Sequence, residues 1–221
     1  MHIFEALYTT RAMRRMQDRE IPDNVVARLL DAAIRAPSGG NFQNWCFIVI
    51  RDREMKTWLG TLFQEDIVVA RRTRYRELEE AVARGEGSER ATAHAAFVRS
   101  MLHLAEHFAT IPVIIVALIR SGENAIWPGG SIYPAVWTIQ LAARALGIGS
   151  VPVGSLARHQ GEIFPRLGVP MDEGWMLASL VALGYPKGPW DVAPRKPAHE
   201  VTFDERWGQR PTWSVPKPLW P

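Results

Sequence analysis

The chain has 221 residues, a net charge of +3, 22% charged residues, 47% hydrophobic residues and one cysteine. That length supports one domain with a full core, and so small a charge gives no reason to expect a nucleic-acid surface. One cysteine excludes an intrachain disulfide, and the longest apolar run, Ile111 to Ile119, is too short to cross a bilayer.

Ile3 and Leu7 predict a short first helix that ends near Thr9-Thr10. His2-Ile3-Phe4-Glu5 carries an acid where a secretion signal would be apolar, so the expected compartment is the cytoplasm. Thr10-Arg11-Ala12-Met13-Arg14-Arg15-Met16 then places three arginines within five residues. A solvated charge run accounts for this, and so does an anion clamp, because guanidinium forks match phosphate oxygens two at a time. Ile21-Pro22-Asp23 opens a second helix with Asp23 as its cap, and Val26, Leu29, Leu30 and Ala33 mark its apolar face as far as Pro37.

Ala36-Pro37-Ser38-Gly39-Gly40-Asn41-Phe42-Gln43-Asn44-Trp45 is a turn between helix and strand. Ser38, Asn41 and Gln43 crowd three neutral hydrogen-bonding side chains into it, which suits a flat heterocycle with donors and acceptors on its edge. An ordinary loop capped by its own polar residues fits as well. Phe47 to Ile50 reads as a short buried strand, with Cys46 as a small buried hydrophobe at its start.

From 52 to 110 the pattern predicts helices over Met55 to Phe63, Val68 to Arg84 and Ala91 to Thr110. The middle one carries arginines and glutamates as a solvent-facing surface, with a nicotinamide phosphate as a second use for its arginines. His103 and His107 stand four apart, as metal ligands can, yet no carboxylate or cysteine completes the set, so they read as structural and no metal is expected. Ile111 to Ile119 is a strand apolar on both faces. Ser121 to Gly130 reads as a loop able to cover a ligand, with Ser131 capping a helix to Leu146 that is apolar nearly all round. A turn-bounded segment, Gly149 to Ser155, comes next, then a short helix from Arg158 to Leu167 and a strand from Met176 to Leu183. The end is rich in proline and tryptophan. Trp207, Trp213 and Trp220 require burial while the prolines forbid a regular element.

Four blocks, in order, resemble the nitroreductase superfamily of flavoproteins. Ala36 to Trp45 is similar to Ala-Pro-Ser-x-x-Asn-x-Gln-Pro-Trp, with Asn44 in place of the usual proline. Thr10 to Met16 is similar to Arg-Arg-Ser-x-Arg-x-Phe; Arg11 and Arg14 match, Thr10 and Ala12 depart and offer backbone alone, and Met16 replaces the phenylalanine. Leu141 to Ser150 is similar to Leu-Ala-Ala-x-x-Leu-Gly-Leu-Gly, and Leu183-Gly184-Tyr185-Pro186 to the closing strand.

The resemblance implies an α+β sandwich, a central, mostly antiparallel sheet flanked by helices. It implies one domain over 1–221, an intertwined homodimer, and an arm over about 200–221 that packs on the partner subunit. It also implies FMN, with NADPH or NADH as electron donor. Arg11, Arg14 and Arg195 would hold the phosphate, Lys196 being a weaker choice than Arg195. Backbone at Ala12, and Pro37, Ser38, Gly39, Asn41 and Gln43, would hold the ribityl chain and ring edge. Pro152, Val153 and Gly154 would pass along the ring, with a backbone N–H of Val153 or Gly154 near N5 and no catalytic side chain required. Phe42, Trp127 and Tyr133 would line the substrate slot. The implied activity is ping-pong reduction of nitroaromatics, quinones or activated alkenes. A flavin store without turnover, an oxygen-dependent flavin-cleaving branch and deazaflavin use stay open.

Overall fold

The computed structural model describes residues 1–120 and 126–219. In chain order these form α1 (Ile3–Thr9), α2 (Asp23–Ala33), β1 (Trp45–Ile50), α3 (Arg53–Arg72), α4 (Arg76–Ala83), α5 (Glu89–Glu106), β2 (Val113–Arg120), α6 (Ile126–Ala145), β3 (Gly149–Val153), α7 (Gln160–Leu167) and β4 (Trp175–Gly184). The strands make one antiparallel sheet in the order β1-β2-β4-β3. A register shift between Ala117 and Leu118 interrupts the β2–β4 ladder.

The continuous apolar run of β2 is explained by two cores, one on each face of the sheet. Ile114, Val116 and Leu118 pack with Leu59 and Phe63 of α3, Leu104 of α5 and Phe164 of α7. The alternate residues Val113, Ile115, Ala117 and Ile119 pack with Val26 and Leu29 of α2 and Ile132, Ile139 and Ala143 of α6. A central strand with helices on both faces has no polar side to show. The expected α+β sandwich is therefore the observed one.

Four local expectations are corrected. Met55 to Phe63 and the start of the next predicted helix form one element, α3, because nothing between them breaks it and Asp52 caps it by accepting from the Met55 N–H (2.6 Å). The covering loop does not run to Gly130: Ile126 to Gly130 are already the first turns of α6, and residues 121–125 lie outside the described residues. Ser131 consequently caps nothing, and its Oγ accepts from the Gly39 N–H across 3.2 Å. Burial overrides the weak helix propensity of Gly129, Gly130 and Pro134, with Ile132, Ala135 and Val136 all in the core. Finally, Cys46 is exposed, not buried. β1 is an edge strand, and its Cys46 and Val49 side chains are exposed among the described residues.

Both ends of the chain are fastened to the C-terminal part of α6 by one buried guanidinium. Arg144 donates from Nε to Thr9 Oγ1 (2.8 Å), approaches Glu5 at 3.5 Å and stacks over Trp190 at 4.2 Å.

Candidate functional site

The arginine block forms an extended segment laid beside β3. Ala12 bridges Ser150, and the Met13 N–H donates to Ser150 O (2.9 Å). Further along, the Gln17 N–H donates to Tyr185 O (2.8 Å) and the Lys187 N–H to Arg15 O (2.9 Å). Two glycines make the approach feasible. A Cβ on Gly149 would stand 2.8 Å from Met13 Cβ, and one on Gly184 would stand 2.8 Å from Met16 Cβ. Met16 thus plugs the groove over Gly184, and the block is held beside β3, the strand that leads on to the Pro152–Gly154 edge. Along that edge Val153 is buried while Pro152 and Gly154 are exposed, and the space beside Gly154 is open.

Arg14 is half-buried, it lies 5.4 Å from the Phe97 ring centre, and its Nε has no hydrogen-bond partner. Burial first, then the like charge of Arg11, lower its pKa from the usual value. The buried hydroxyl of Thr10 is also unpartnered. A buried donor without an acceptor is costly, so two such donors beside two guanidinium groups suit a polyanion. The residues present therefore fit a phosphate-bearing group.

Arg11 meets Asp191 at 3.7 Å, an exposed and weak pair. Asp191 belongs to the segment after β4, which runs back past the arginine block. A cleft of about 690 Å³ between that segment and α1 is lined by Thr10, Leu7, Trp137, Arg195 and Lys196. The structure so brings Arg195 to the same cleft as Thr10. Its guanidinium donates to the neighbouring Pro194 O (2.9 Å).

The loop from Pro37 to Asn44 is tied by hydrogen bonds within itself and to Arg120. Gly40, Asn41 and Gln43 have φ values of 57°, 56° and 50°, a left-handed conformation that is strained for the two non-glycine residues. Ser38 Oγ accepts from the Gln43 N–H (2.9 Å), and Gln43 Nε2 donates to Asn41 Oδ1 (3.1 Å). Asn44 donates its side chain to Arg120 O, and its own carbonyl accepts from the Arg120 N–H (2.7 Å). Phe42 stands 82% exposed on this loop, and Tyr133 is 56% exposed on α6. The Trp127 side chain lies outside the described residues.

Loop and arginine block sit at opposite corners of the sheet. The loop leads into Trp45, paired with Ile119 at the end of β2, whereas the block joins β3 at Ser150, paired with Leu183 at the end of β4. Four strand spacings of about 4.8 Å separate them sideways. Their anchors on α6, Ser131 and Arg144, are about 20 Å apart along the axis. Within one chain the two halves are thus about 25–30 Å apart.

Sequence reasoning missed the Asp66–His159 pair. His159 Nε2 contacts Asp66 Oδ1 (2.9 Å) and its Nδ1 contacts Glu162 Oε1 (3.0 Å). Burial lowers the His159 pKa, but the hydrogen bonds to the two carboxylates outweigh it and raise the value overall. Nothing in the spacing of 66 and 159 signals this contact. The histidine pair on α5 also needs correction, because Glu106 does join His103 and His107, with ligand atoms within 4.8 Å. Arg15 Nη1 lies 3.3 Å from His103 Nδ1, and burial, then His107 and Arg15, hold the His103 pKa down. That fixed cation disfavours a metal ion there. Among the described residues no helix is long and apolar enough to cross a membrane.

The model of the nitroreductase family matches residues 7–185. A protein of Archaeoglobus fulgidus assigned as an NADH dehydrogenase/NAD(P)H nitroreductase is 33% identical over 183 residues, covering 82% of this chain and 83% of its own. An NADH dehydrogenase of Thermus thermophilus is 28% identical over 207 residues, covering 87% and 91%. Among solved structures, a variant of an FMN- and NADPH-dependent nitroreductase from Sphigopyxis sp. strain HMH superposes with a TM-score of 0.68 at 22% identity, covering 94% of this chain and all of that one.

Proposed function

This chain belongs to the nitroreductase family, and from that premise we propose that it is an FMN-dependent oxidoreductase that takes hydride from NADH or NADPH and delivers it to an electrophile. The observation that carries the reading is the half-buried Arg14 with its orphaned Nε, on a block stitched to the strand that leads to the open Gly154 edge.

FMN, when bound, supplies the acceptance and return of hydride. Arg11, Arg14 and Arg195 neutralise its phosphate, and the Thr10 hydroxyl and Ala12 backbone complete that end. Val153 and Gly154 present backbone to the ring, and Gly154 leaves the ring edge unobstructed. The preformed loop of Pro37, Ser38, Gly39, Asn41 and Gln43 orients the polar edge and the ribityl hydroxyls without a folding cost at binding. Phe42, Trp127 and Tyr133 offer apolar walls to a planar acceptor such as a nitroaromatic, quinone or activated alkene. Donor and acceptor share one open face in turn, so the kinetics are ping-pong.

The separation of arginine block and loop supports a flavin held by the block of one subunit and the loop of another. Exposed apolar residues on α1 and α6, Ile3, Phe4, Leu7, Tyr133 and Trp137, suit that contact. Trp207, 92% exposed on the arm over 200–221, suits burial on the same partner.

Anaerobic addition of NADPH or NADH to the flavin-loaded protein should bleach the flavin, and an acceptor should restore it. No bleaching with either donor refutes turnover and leaves a flavin-binding protein. The shared site is tested by mixing two inactive variants, Arg14→Gln and Asn41→Ala, after mild unfolding. Half the dimers are then mixed, each with one intact site, so about a quarter of the activity returns. No recovery refutes the shared site.

A further inference from the structure

The residue after Gly154 begins a short stretch of 3-10 helix, Ser155–His159, that ends on the Asp66–His159 contact. Gly154 and Ser155 at its near end are exposed, and Leu156 pins its middle in the core. At about 2.0 Å per residue, His159 stands about 8 Å along the axis from Ser155. It is therefore set back from the Gly154 edge but joined to it by a short, stiff element.

Both ring nitrogens of His159 face carboxylate oxygens, Nε2 toward Asp66 at 2.9 Å and Nδ1 toward Glu162 at 3.0 Å. A neutral imidazole has one N–H and one lone pair, and a carboxylate only accepts, so the imidazolium alone can donate to both. The two carboxylates differ in freedom. Asp66, from α3, has a side chain 5% exposed, and its Oδ2 has no partner among the described residues. Its Oδ1 holds His159 and, at 3.5 Å, the Nε of Arg158 on the same 3-10 stretch. Glu162, from α7, is exposed and can turn to water. β4, the third element packed on this stretch, carries no charged residue and meets it at Gln160, which accepts from the Leu177 N–H (2.7 Å). Loss of the His159 proton thus leaves a nearly buried carboxylate without its closest cation, while nothing on β4 compensates.

We propose that His159, held by Asp66, is a positioning residue for the flavin: as an imidazolium it locks the Ser155–His159 stretch so that the Gly154 edge is set for the ring, and as a neutral ring it loosens that stretch. The inference rests on the flavin reading and adds a pH control to the same site. His159 touches no flavin atom; it acts through the backbone that leads to Gly154. A preformed edge binds the ring without an ordering cost, so the charged form is the tighter binder. By reciprocity, bound FMN must hold the proton on His159 more tightly by the same factor.

The test is fluorescence titration of the full chain with FMN from pH 5.5 to 9, in the unaltered protein, His159→Gln and Glu162→Gln. At the acid end His159→Gln should bind FMN about tenfold more weakly than the unaltered protein, the worth of one charge-assisted hydrogen bond. The ratio of the two affinities should close toward one as pH rises and the unaltered protein loses its imidazolium. Taking the ratio cancels the titration of the FMN phosphate, which both proteins share. Glu162→Gln, an exposed change, removes one of the charges that favour the imidazolium, so its fall in FMN affinity should come at lower pH. The His159 ring proton resonance, followed through pH in apoprotein and loaded protein, should show about tenfold higher proton affinity with FMN bound. A merely structural histidine would give a ratio that is constant across pH, or a ring that titrates alike with and without FMN, and either result overturns the inference. FMN binding with a constant ratio sinks this inference and leaves the flavin reading standing; an unaltered protein that binds no FMN sinks the flavin reading and this inference with it.

Discussion

Gly149 is where the fold holds the arginine block against the sheet, so Gly149→Ala tests how the site is built. The new Cβ would sit 2.8 Å from Met13 Cβ and 3.2 Å from Gly184 O. Carbon atoms rest at about 3.5–4.0 Å, so the first contact is short by about 1 Å. Met13 Cβ cannot swing away, because it is attached to backbone that donates to Ser150 O at 2.9 Å. The block as a whole must move outward. Overpacking of this kind costs about 1–3 kcal/mol, and the weakened backbone bond adds about 1 kcal/mol. At about 2–4 °C per kcal/mol for a chain of this size, Tm should fall by about 4–16 °C. The displacement carries Arg11 and Arg14 about 1 Å away from the phosphate, so FMN affinity should drop about 10–100-fold. Thermal unfolding of the apoprotein and flavin fluorescence titration read the two effects. Gly161→Ala is the control: nothing lies within 4 Å of its Cβ, it sits inside α7, and it should be neutral or stabilising by up to about 1 kcal/mol. If Gly149→Ala matches the unaltered protein in both Tm and FMN affinity, the close approach does not hold the block in place.

Three other outcomes are expected. Arg14→Gln removes a buried charge with an orphaned Nε, so it should weaken FMN by at least about tenfold while the apoprotein's Tm stays level or rises; a lower Tm with unchanged FMN binding would contradict this. The His159 pKa is raised in the folded state, so its contribution to stability is full below its unfolded value and is lost as pH rises through the folded value. Urea unfolding from pH 5.5 to 9 should therefore show a decline that His159→Gln abolishes, and an identical slope in the variant would refute the pairing of His159 with Asp66 and Glu162. Asn44→Pro restores the usual family residue but removes the side-chain bond to Arg120 O and disfavours the φ of 50° at Gln43, because a residue before proline avoids the helical region. Stability should fall by about 1–2 kcal/mol in denaturant titration, and an unchanged midpoint would show that the loop does not need Asn44.

Much of this protein is legible along the chain. The β2 run, apolar at every position, announces a strand covered on both faces, since that is what a continuous run of branched residues can satisfy. The 10–16 and 36–45 blocks are equally local: their donors, glycines and charges lie within a few residues of one another, so the family resemblance can be read from the chain itself. α6 shows where local reading stops. Its Gly129-Gly130 pair reads as a loop, yet burial of Ile132, Ala135 and Val136 carries the helix back to Ile126 and turns Ser131 from a cap into an acceptor for Gly39. Cys46 reads as core and lies on an open edge, because strand order is not written in any one strand. The Asp66–His159 contact joins residues 93 positions apart and has no local signal at all. Above all, the order β1-β2-β4-β3 sets the arginine block and the polar loop at opposite corners. Side-chain chemistry is a property of single residues and survives in the sequence; the distance between two such groups is a sum over every strand and helix packed between them, and tertiary structure alone fixes it.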